Sequence, residues 1–198
     1  MEIKSSEQIK EATKGESIFM ELKEGKNTLR IVSKFYGVKE HQIKVADQYR
    51  FVACPRVMEE WRAAEEDSVV DTDIRCPICE GTNQDAKKIG AKFLALALSK
   101  KDGKVGVLKK GKTVFTPIFE MRDEGVDLAK RDIVIKRTGE GLATEYTVIA
   151  SANDSELTEL EQEGVLEAQK LIDLVQMTTP RSYQEILDVL AGKDKYKK

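Results

Sequence analysis

Apolar and polar residues alternate in short runs along the first part of the chain, a pattern typical of β-strands. The alternation predicts strands over residues 28–33, 43–45 and 49–52. Residues 57–67 favour a helix, and the polar stretch 68–75 is typical of a loop. Two or three strands and one helix are therefore expected before residue 76.

Strand signals return over residues 92–120 and again in a hairpin from residues 133–135 to residues 144–148. Glycine-containing turns are expected at residues 101–103, 109–111 and 139–141. With the strands above, these segments predict a mainly β protein with a core of five or six strands.

The last quarter of the chain changes to helical spacing, with apolar residues recurring over 157–175. A second helix is predicted after Pro180, with Ser182 and Glu185 as its capping box and Gly192 as its stop. The β core is therefore expected to carry α additions, namely two C-terminal helices over residues 153–198.

Composition narrows the class of protein. The chain has 198 residues, of which 40% are apolar and 34% charged, as in a globular protein of one domain with additions or two small domains. Residues 93–98 form the longest apolar run, far short of the ~18–20 residues of a membrane span, so no membrane contact is expected. The N-terminus lacks an export pattern, which predicts a cytoplasmic protein, and residues 5–14 predict a short polar helix within an N-terminal arm over residues 1–19.

Charge is segregated along the chain although the formal net charge is only -2. Residues 87–112 contain nine lysines and one acid, whereas residues 154–167 contain six acids and no base. The first stretch predicts a basic surface for a polyanion. The alternative is that these lysines only solvate turns and strand edges. For the acidic stretch we favour the solvated face of a helix.

The only histidine and all three cysteines lie close together in the sequence, as His41, Cys54, Cys76 and Cys79. The spacing of Cys76 and Cys79 lets two thiolates converge on one ion from a tight turn, and His41 and Cys54 supply two further ligands across a hairpin. Four nitrogen and sulfur ligands without a carboxylate describe a closed tetrahedral site. We expect one structural Zn²⁺ with no open position for catalysis.

Three other interpretations of these residues are weaker. Unrelated core thiols would make the complete ligand set a coincidence, and a redox Cys-x-x-Cys would leave His41 and Cys54 without a role. Zinc deaminases carry a glutamate two residues after the histidine ligand, where this chain has Ile43. Because that general acid/base is missing, a deaminase is not expected.

Residues 106–113 match the phosphate-binding loop pattern G-x-x-x-x-G-K-[ST]. Such a loop must open directly into a helix. Residues 114–119 are β-branched and aromatic with a proline, which favours a strand, and the chain lacks the alternating strand and helix pattern of nucleotide-binding folds. We therefore expect no enzyme, and keep a P-loop nucleotide hydrolase as the least favoured alternative.

Binding of single strands without sequence preference requires cations that follow the phosphates and flat side chains on which bases stack. Candidate phosphate contacts are Lys34, Lys87, Lys88, Lys92, Lys104, Lys109, Lys110 and Lys112. Candidate stacking residues, each next to or near a basic residue, are Phe35, Tyr36, Tyr49, Phe51, Phe93 and Phe115. Most aromatics of a β domain are core, so about half of these candidates are expected to face the binding cleft.

These residues resemble the zinc-containing single-stranded DNA-binding proteins of tailed bacteriophages. The resemblance rests on the spacing of His41 and Cys54 and on the Cys76-Pro77-Ile78-Cys79 knuckle, and it covers most of residues 20–191. It extends to residues 27–31, 103–105, 111–112, 177–178 and 183–187. It implies an OB-fold-like barrel of five or six strands over residues 20–152, with an inserted zinc subdomain at about residues 41–90.

The resemblance also implies a function and positions for it. By position, Arg30 and Lys112 correspond to phosphate contacts, Lys87 and Lys88 to a basic cluster, and Phe93 to an aromatic of the DNA cleft. The expected partner is single-stranded DNA, coated during phage replication, recombination and repair in the host cytoplasm, together with proteins of those processes. The chain departs from the family in its weakly basic arm and in lacking an acidic tail, so a monomer or weak self-association on DNA is expected. A zinc-ribbon protein adaptor is the alternative.

Overall fold

The computed structural model describes residues 17–83 and 86–193, and the helix expected over residues 5–14 lies outside these ranges. The strands are β1 (Gly25–Ile31), β2 (Tyr36–Val45), β3 (Gln48–Ala53), β4 (Ile89–Ser99), β5 (Val105–Lys110), β6 (Arg131–Thr138) and β7 (Glu145–Asp154). They form one antiparallel sheet in the order β3-β2-β4-β1-β6-β7, with β5 paired to β4. The protein is therefore mixed α/β, with a seven-stranded sheet.

The helices are α1 (Pro55–Glu65), α2 (Pro77–Glu80), α3 (Lys112–Asp123), α4 (Glu159–Leu171), α5 (Leu174–Thr178) and α6 (Tyr183–Leu190), with a 3₁₀ turn at Gly141–Ala143. The capping box of α6 is confirmed, because Ser182 and Glu185 each satisfy a backbone N–H of the other. Gly192 has φ +70°, which confirms the helix stop. Within the described ranges, every helix is too short or too polar to cross a membrane.

The expected barrel of five or six strands needs correction. In the described part of the chain the strand order ends at β3 on one side and at β7 on the other, so the sheet is not closed. The strand count is higher than expected because β2 and β3 belong to the same sheet. Strand β2 lies between β4 and β3 and so joins β3 to the rest of the sheet. Glu40 of β2, for example, pairs with Gly90 of β4 on one side and with Ala53 of β3 on the other.

The strand expected over residues 114–119 is wrong, because these residues lie in α3. The carbonyl of Gly111 accepts hydrogen bonds from the N–H groups of Val114 and Phe115 and so begins the helix. Val114, Phe115 and Ile118 are all fully buried, at a spacing that suits one face of a helix. Burial of this face outweighs the local preference of β-branched and aromatic residues for strands.

The helix expected over residues 157–175 is divided into α4 and α5. The Asp173 side chain accepts a hydrogen bond from the N–H of Gln176 at 2.9 Å, so it caps the start of α5. The C-terminal part of the chain therefore contains three helices, not two.

The chain forms two compact units, each built from three segments. Of the described residues, the first unit contains 17–34, 95–109 and 117–171, and the second contains the remainder. The helices expected together after residue 153 are divided, with α4 in the first unit and α5 and α6 in the second. All four candidate metal ligands belong to the second unit.

One sheet face forms the core of the first unit. Leu29 of β1 pairs with Ile133 of β6, and Ile135 pairs with Val148 of β7, and all four side chains are buried. Residues 18–20 extend this unit along β5, because the N–H of Met20 donates to the carbonyl of Val107 at 2.9 Å. The strands predicted over residues 28–33, 133–135 and 144–148 are confirmed as β1, β6 and β7.

The core of the second unit lies on one face of β2 and β3. Its buried side chains form one cluster, which includes Ile43, Val52, Cys54, Cys76, Ile78, Ala86, Ile186 and Val189. Helix α1 also contacts β2, where the Trp61 ring lies against Gly37, with the Lys39 ammonium 5.2 Å from the ring centroid. The expectation that Trp61 packs against the metal-binding part of the chain agrees with this position.

Candidate metal centre and aromatic face

Four local structures bring the candidate ligands together. His41 lies on β2, and Cys54 directly follows β3 as the N-cap of α1. Cys76 is the N-cap of α2, and Cys79 lies within that helix. A proline follows both Cys54 and Cys76 and begins the helix there. The first helical position tolerates proline because its N–H would have no partner within the helix. The ligand atoms of all four residues lie within 4.8 Å of one another, close enough to hold a metal ion.

The distances between ligand atoms fit a tetrahedral ion. Cys54 Sγ lies 3.7 Å from Cys79 Sγ, and His41 Nε2 lies 3.5 Å from the Sγ atoms of Cys76 and Cys79. Zinc bonds to sulfur and nitrogen at tetrahedral angles require about 3.8 Å between two sulfurs and about 3.6 Å between sulfur and nitrogen. The four side chains therefore have the spacing of a complete ligand set.

A hydrogen bond orients the imidazole of His41. Its Nδ1 lies 2.8 Å from the carbonyl oxygen of Ala86, which can only accept, so Nδ1 carries the proton and donates. The lone pair of Nε2 then faces the three sulfurs. Metal-bound histidines in proteins are typically fixed in this way by a carbonyl or carboxylate behind the ring.

Three sulfur atoms this close do not all ionise without a cation. The hydrogen bond that Cys54 shares with Cys76 lowers the pKa of Cys76 to about 4, and the same bond raises the pKa of Cys54. Burial raises the pKa of Cys79. Because a metal ion stabilises every thiolate that it contacts, this donor set suits a cation at its centre.

Side chains beside the Cys76 and Cys79 turn tie it to α6. Arg75 donates two hydrogen bonds to the Glu80 carboxylate, both at 2.8 Å, and the hydroxyl of Tyr183 donates to the same carboxylate at 2.8 Å. The bond from Arg75 lowers the pKa of Glu80, with the Tyr183 bond as the next cause. These hydrogen bonds stabilise the turn, in addition to the buried cluster that contains Cys76 and Ile78.

The opposite face of β2 and β3 is exposed near the hairpin turn and carries two aromatic rings there, whereas Val38 and Glu40 further along this face are buried. Tyr49 and Phe51 are 63% and 53% exposed. Tyr49 pairs across the strands with Lys44, and Phe51 pairs with Gln42, so these four side chains share one face. Lys92 of β4 pairs with Val38 of β2 and extends the same face. We call Gln42, Lys44, Tyr49, Phe51 and Lys92 the aromatic face.

The aromatic face reaches the start of α3. The Lys92 ammonium lies 3.9 Å from the position that a Cβ atom would take on Gly111. Lys112, which is exposed, is the first residue of the helix. Of the residues predicted to bind nucleic acid, the structure therefore brings Lys92 and Lys112 together, and it places Tyr49 on the same face as Lys92. Tyr36 is half-buried on this face of β2, across from Leu94.

The other predicted lysines are dispersed. Lys87 is half-buried and Lys88 exposed between the metal ligands and β4, and Lys110 is half-buried at the end of β5 in the same unit. The first unit contains the remaining three, exposed Lys34 and Lys104 and half-buried Lys109. Gln42 and Lys44 were not predicted as nucleic-acid contacts. Phe51 was among the aromatic candidates, and its position two residues after Tyr49 places both rings on one side of the strand.

Arg30 does not occupy a phosphate-contacting position. Its side chain is fully buried, and its guanidinium pairs with Asp132 at 2.7 Å. It also donates to the carbonyls of Ala129 and Ser155 and to the Ser155 hydroxyl. The expectation for Arg30 is corrected, because a side chain with these partners inside the fold is unavailable to a ligand.

Two predicted stacking residues pack against each other. Phe115 is fully buried, and its ring centroid lies 5.7 Å from that of Phe93 and 6.0 Å from that of Phe35. Phe93 pairs with Gly37 and so faces away from Lys92. The expectation that Phe115 stacks on bases is wrong, and Phe93 belongs to the same aromatic packing.

The P-loop pattern does not form a loop. Residues 106–110 are part of β5, and the N–H and carbonyl of Val107 bond to Ile18 and Met20. Their amides therefore belong to the sheet and do not surround a phosphate. A helix does follow Gly111, contrary to the strand expected, so the geometry of β5 is the reason to reject a P-loop.

Comparison with models of protein families finds no match to this chain, and comparison with curated proteins finds no relative. The functional interpretation therefore rests on the metal centre and the aromatic face.

Proposed function

We propose that this protein binds single-stranded DNA without sequence preference, through the aromatic face. The observation that carries the proposal is the pairing of two exposed rings, Tyr49 and Phe51, with Lys44 and Gln42 on the neighbouring strand. Aromatic side chains next to cations are the two components of single-strand binding.

The spacing of the rings suits every second base of a stacked strand. Residues two apart on an antiparallel strand are separated by about 6.8 Å, which is twice the ~3.4 Å rise per base of a stacked strand. Stacking needs the open face of a base, which a duplex covers with the next base pair. The arrangement therefore favours unpaired strands.

Cations on the aromatic face supply phosphate contacts. Lys44 is exposed, and its ion pair to Asp47 is solvent-exposed, a kind of pair that is weak. Lys92 lies beside the first turn of α3, where the helix dipole is positive, and Lys112 adds a further charge. This concentration of positive potential is stabilised by an anion, so binding should weaken as salt increases.

The proposal includes one structural Zn²⁺ held by His41, Cys54, Cys76 and Cys79. Its support is the donor set of three thiolates and one imidazole, together with the near-tetrahedral spacing. When bound, the ion holds β2, β3 and the α2 turn together, and the aromatic face lies on the other side of those two strands.

We also propose an OB-fold relationship for the chain. An OB-fold has five strands, with a helix between the third and the fourth. If β1 and β2 together count as the first strand, β4 and β5 are the second and third, α3 is the helix, and β6 and β7 are the fourth and fifth. Such partly open folds bind oligonucleotides. Coating unpaired DNA during replication, recombination or repair is the role that this activity suits.

Fluorescence anisotropy of labelled oligo(dT) and of a matched duplex, at two salt concentrations, tests the function. We expect tight, salt-sensitive binding to oligo(dT) and little to the duplex. Tyr49→Ala and Phe51→Ala should each weaken binding by about 1–3 kcal/mol, or roughly 5- to 150-fold in Kd. Phe19→Ala, which removes an exposed ring outside the aromatic face, is the control.

Two results would overturn the proposal. Absence of binding at low salt would leave the metal-stabilised protein adaptor as the better interpretation. Binding that is unchanged in both Tyr49→Ala and Phe51→Ala would move the contact to another surface.

A further inference from the structure

Gln42 lies at the centre of the aromatic face. It pairs directly with Phe51. On the same face of the sheet, the next pair towards the hairpin turn is Lys44 with Tyr49. Its side chain is exposed, and within the described residues its amide has no hydrogen-bond partner. On its other side along β2, Glu40 is buried. A free amide therefore stands beside the ring on which a base would stack.

Position relative to Phe51 determines what the amide can contact. Side chains directly opposite on paired strands have Cβ atoms about 4.5–5.5 Å apart. A base lying flat on the Phe51 ring presents its edge, not its face, towards such a neighbour. The Gln42 amide is thus placed to form hydrogen bonds with that edge.

An amide has a distinctive property for this contact, because it offers one donor and one acceptor and can turn to exchange them. On the edge used in Watson–Crick pairing, every base presents a donor next to an acceptor. Adenine and cytosine offer an amino group beside a ring nitrogen, and guanine and thymine offer a carbonyl beside a ring N–H. A glutamine can therefore make two hydrogen bonds with any of the four.

We propose that Gln42 hydrogen-bonds the edge of whichever base lies on Phe51, and so adds affinity at this subsite without adding a base preference. The inference rests on the proposed single-strand binding. It implies that replacing the amide by a side chain with acceptors only will create a base preference where none existed, whereas deleting the amide will only weaken binding.

Gln42→Glu tests this directly, because the change keeps the shape and leaves only acceptors. Guanine alone offers two adjacent donors, the ring N–H and the amino group, to a carboxylate. We expect the wild-type protein to bind d(T)12 and d(TTG)4 with Kd values within about twofold. Gln42→Glu should bind both more weakly and favour d(TTG)4 by at least about fivefold, the lower range for a two-bond base contact.

Gln48→Glu is the matched control. It adds the same charge to the same hairpin, but Gln48 pairs with Val45 and so faces the opposite side of the sheet. It should leave the ratio of the two Kd values unchanged. Gln42→Ala should weaken binding to both oligonucleotides equally. Metal content and thermal melting of each variant verify the fold.

The two proposals fail separately. If Phe51→Ala weakens binding but Gln42→Glu keeps the wild-type ratio, Gln42 does not contact the base edge and only this inference is overturned. If Phe51→Ala and Tyr49→Ala bind as the wild type does, the aromatic face itself is not the binding site. A preference for d(TTG)4 in Gln48→Glu as well would show a general charge effect and would also overturn the role of Gln42.

Discussion

Among individual residues, Arg30 is a fully buried charge of the first unit. Its guanidinium is balanced by Asp132 and satisfied by two carbonyls and a hydroxyl. Breaking one side of such a pair leaves the other charge uncompensated inside the protein. Arg30 therefore stabilises the first unit and does not make the phosphate contact expected of it.

Replacing Arg30 tests this role. Arg30→Met should lower the free energy of unfolding by about 3–5 kcal/mol, because Asp132 loses its partner. Lys130→Met is the control, since the pair of Lys130 with Glu156 is exposed and such pairs contribute about 0–1 kcal/mol. Urea denaturation measures both. Equal, small losses in the two variants would contradict the buried role of Arg30.

Glu59 provides a pH-dependent prediction. Hydrogen bonds from Arg62, and next from the N–H of Asp71, lower the pKa of Glu59 to about 2. Since the ionised form is favoured by folding, its stabilisation is present above the ordinary pKa of about 4.3 and is lost as pH falls towards 2. Carboxyl NMR titration should show a midpoint near 2, rising in Arg62→Ala. A wild-type midpoint near 4 would contradict the bonded geometry.

Residue type predicted the metal ligands far better than the nucleic-acid contacts. Few side chains bind soft metal ions, so one histidine and three cysteines at suitable spacing left little choice, and their convergence is confirmed. Arginine and phenylalanine have both buried and exposed roles, and only the fold shows that Arg30 and Phe115 are buried. Gln42 could not be selected, because its importance depends on pairing with Phe51.

At the scale of elements, the contact between α1 and β2 requires a glycine, Gly37, on the strand. A Cβ atom on Gly37 would lie 2.4 Å from Cη2 of Trp61, closer than any real contact. The ring therefore lies directly on the strand backbone. Helix α1, which follows the ligand Cys54, is positioned by this contact.

Gly37→Ala should displace Trp61 and lower stability by about 1–3 kcal/mol, as overpacking does in other cores. Since Trp61 is the only tryptophan, its emission spectrum reports the displacement. Gly90→Ala is the matched control, because a Cβ atom there has no neighbour within 4 Å. An unchanged spectrum and melting temperature in Gly37→Ala would mean that the helix adjusts without cost.

Elements were predicted well where periodicity and caps agreed, as in α6, and poorly where propensity opposed burial. In α3, β-branched and aromatic residues favoured a strand, while the positions of Val114, Phe115 and Ile118 fit a helix equally well. Helical spacing through residue 175 also concealed Asp173, whose capping bond begins a new helix. Local composition cannot decide such cases, because the outcome depends on which side chains the rest of the fold covers.

For the whole molecule, the proposed Zn²⁺ is expected to contribute most to stability. Removing it leaves three thiol groups and an imidazole in a largely buried cluster, and structural zinc contributes its binding free energy to folding. Treatment with a chelator should lower the melting temperature by about 10 °C or more, and added Zn²⁺ should restore it. Hydrogen exchange should increase first over residues 41–79. If the chelated protein melts at the same temperature, the metal assignment is wrong.

The division into two units was not predictable from linear order. The sequence indicated a core, an insertion and a helical end, whereas each unit draws on three separated segments. Alternation and helical spacing describe local faces, and they contain no information about which distant segments will cover one another. The core around the ligands illustrates this, because it includes Ile186 and Val189 of α6.

The place of α6 in that core sets an order of events during synthesis. Ile186 follows Cys79 by about one hundred residues, and a ribosome adds roughly 5–20 residues each second. All four ligands consequently emerge some 5–20 seconds before the helix that covers them. In that interval the nascent thiols are open to oxidants and to competing metals, so for a cluster that holds Zn²⁺ as proposed, capture of that ion by the growing chain is itself a step in making this protein.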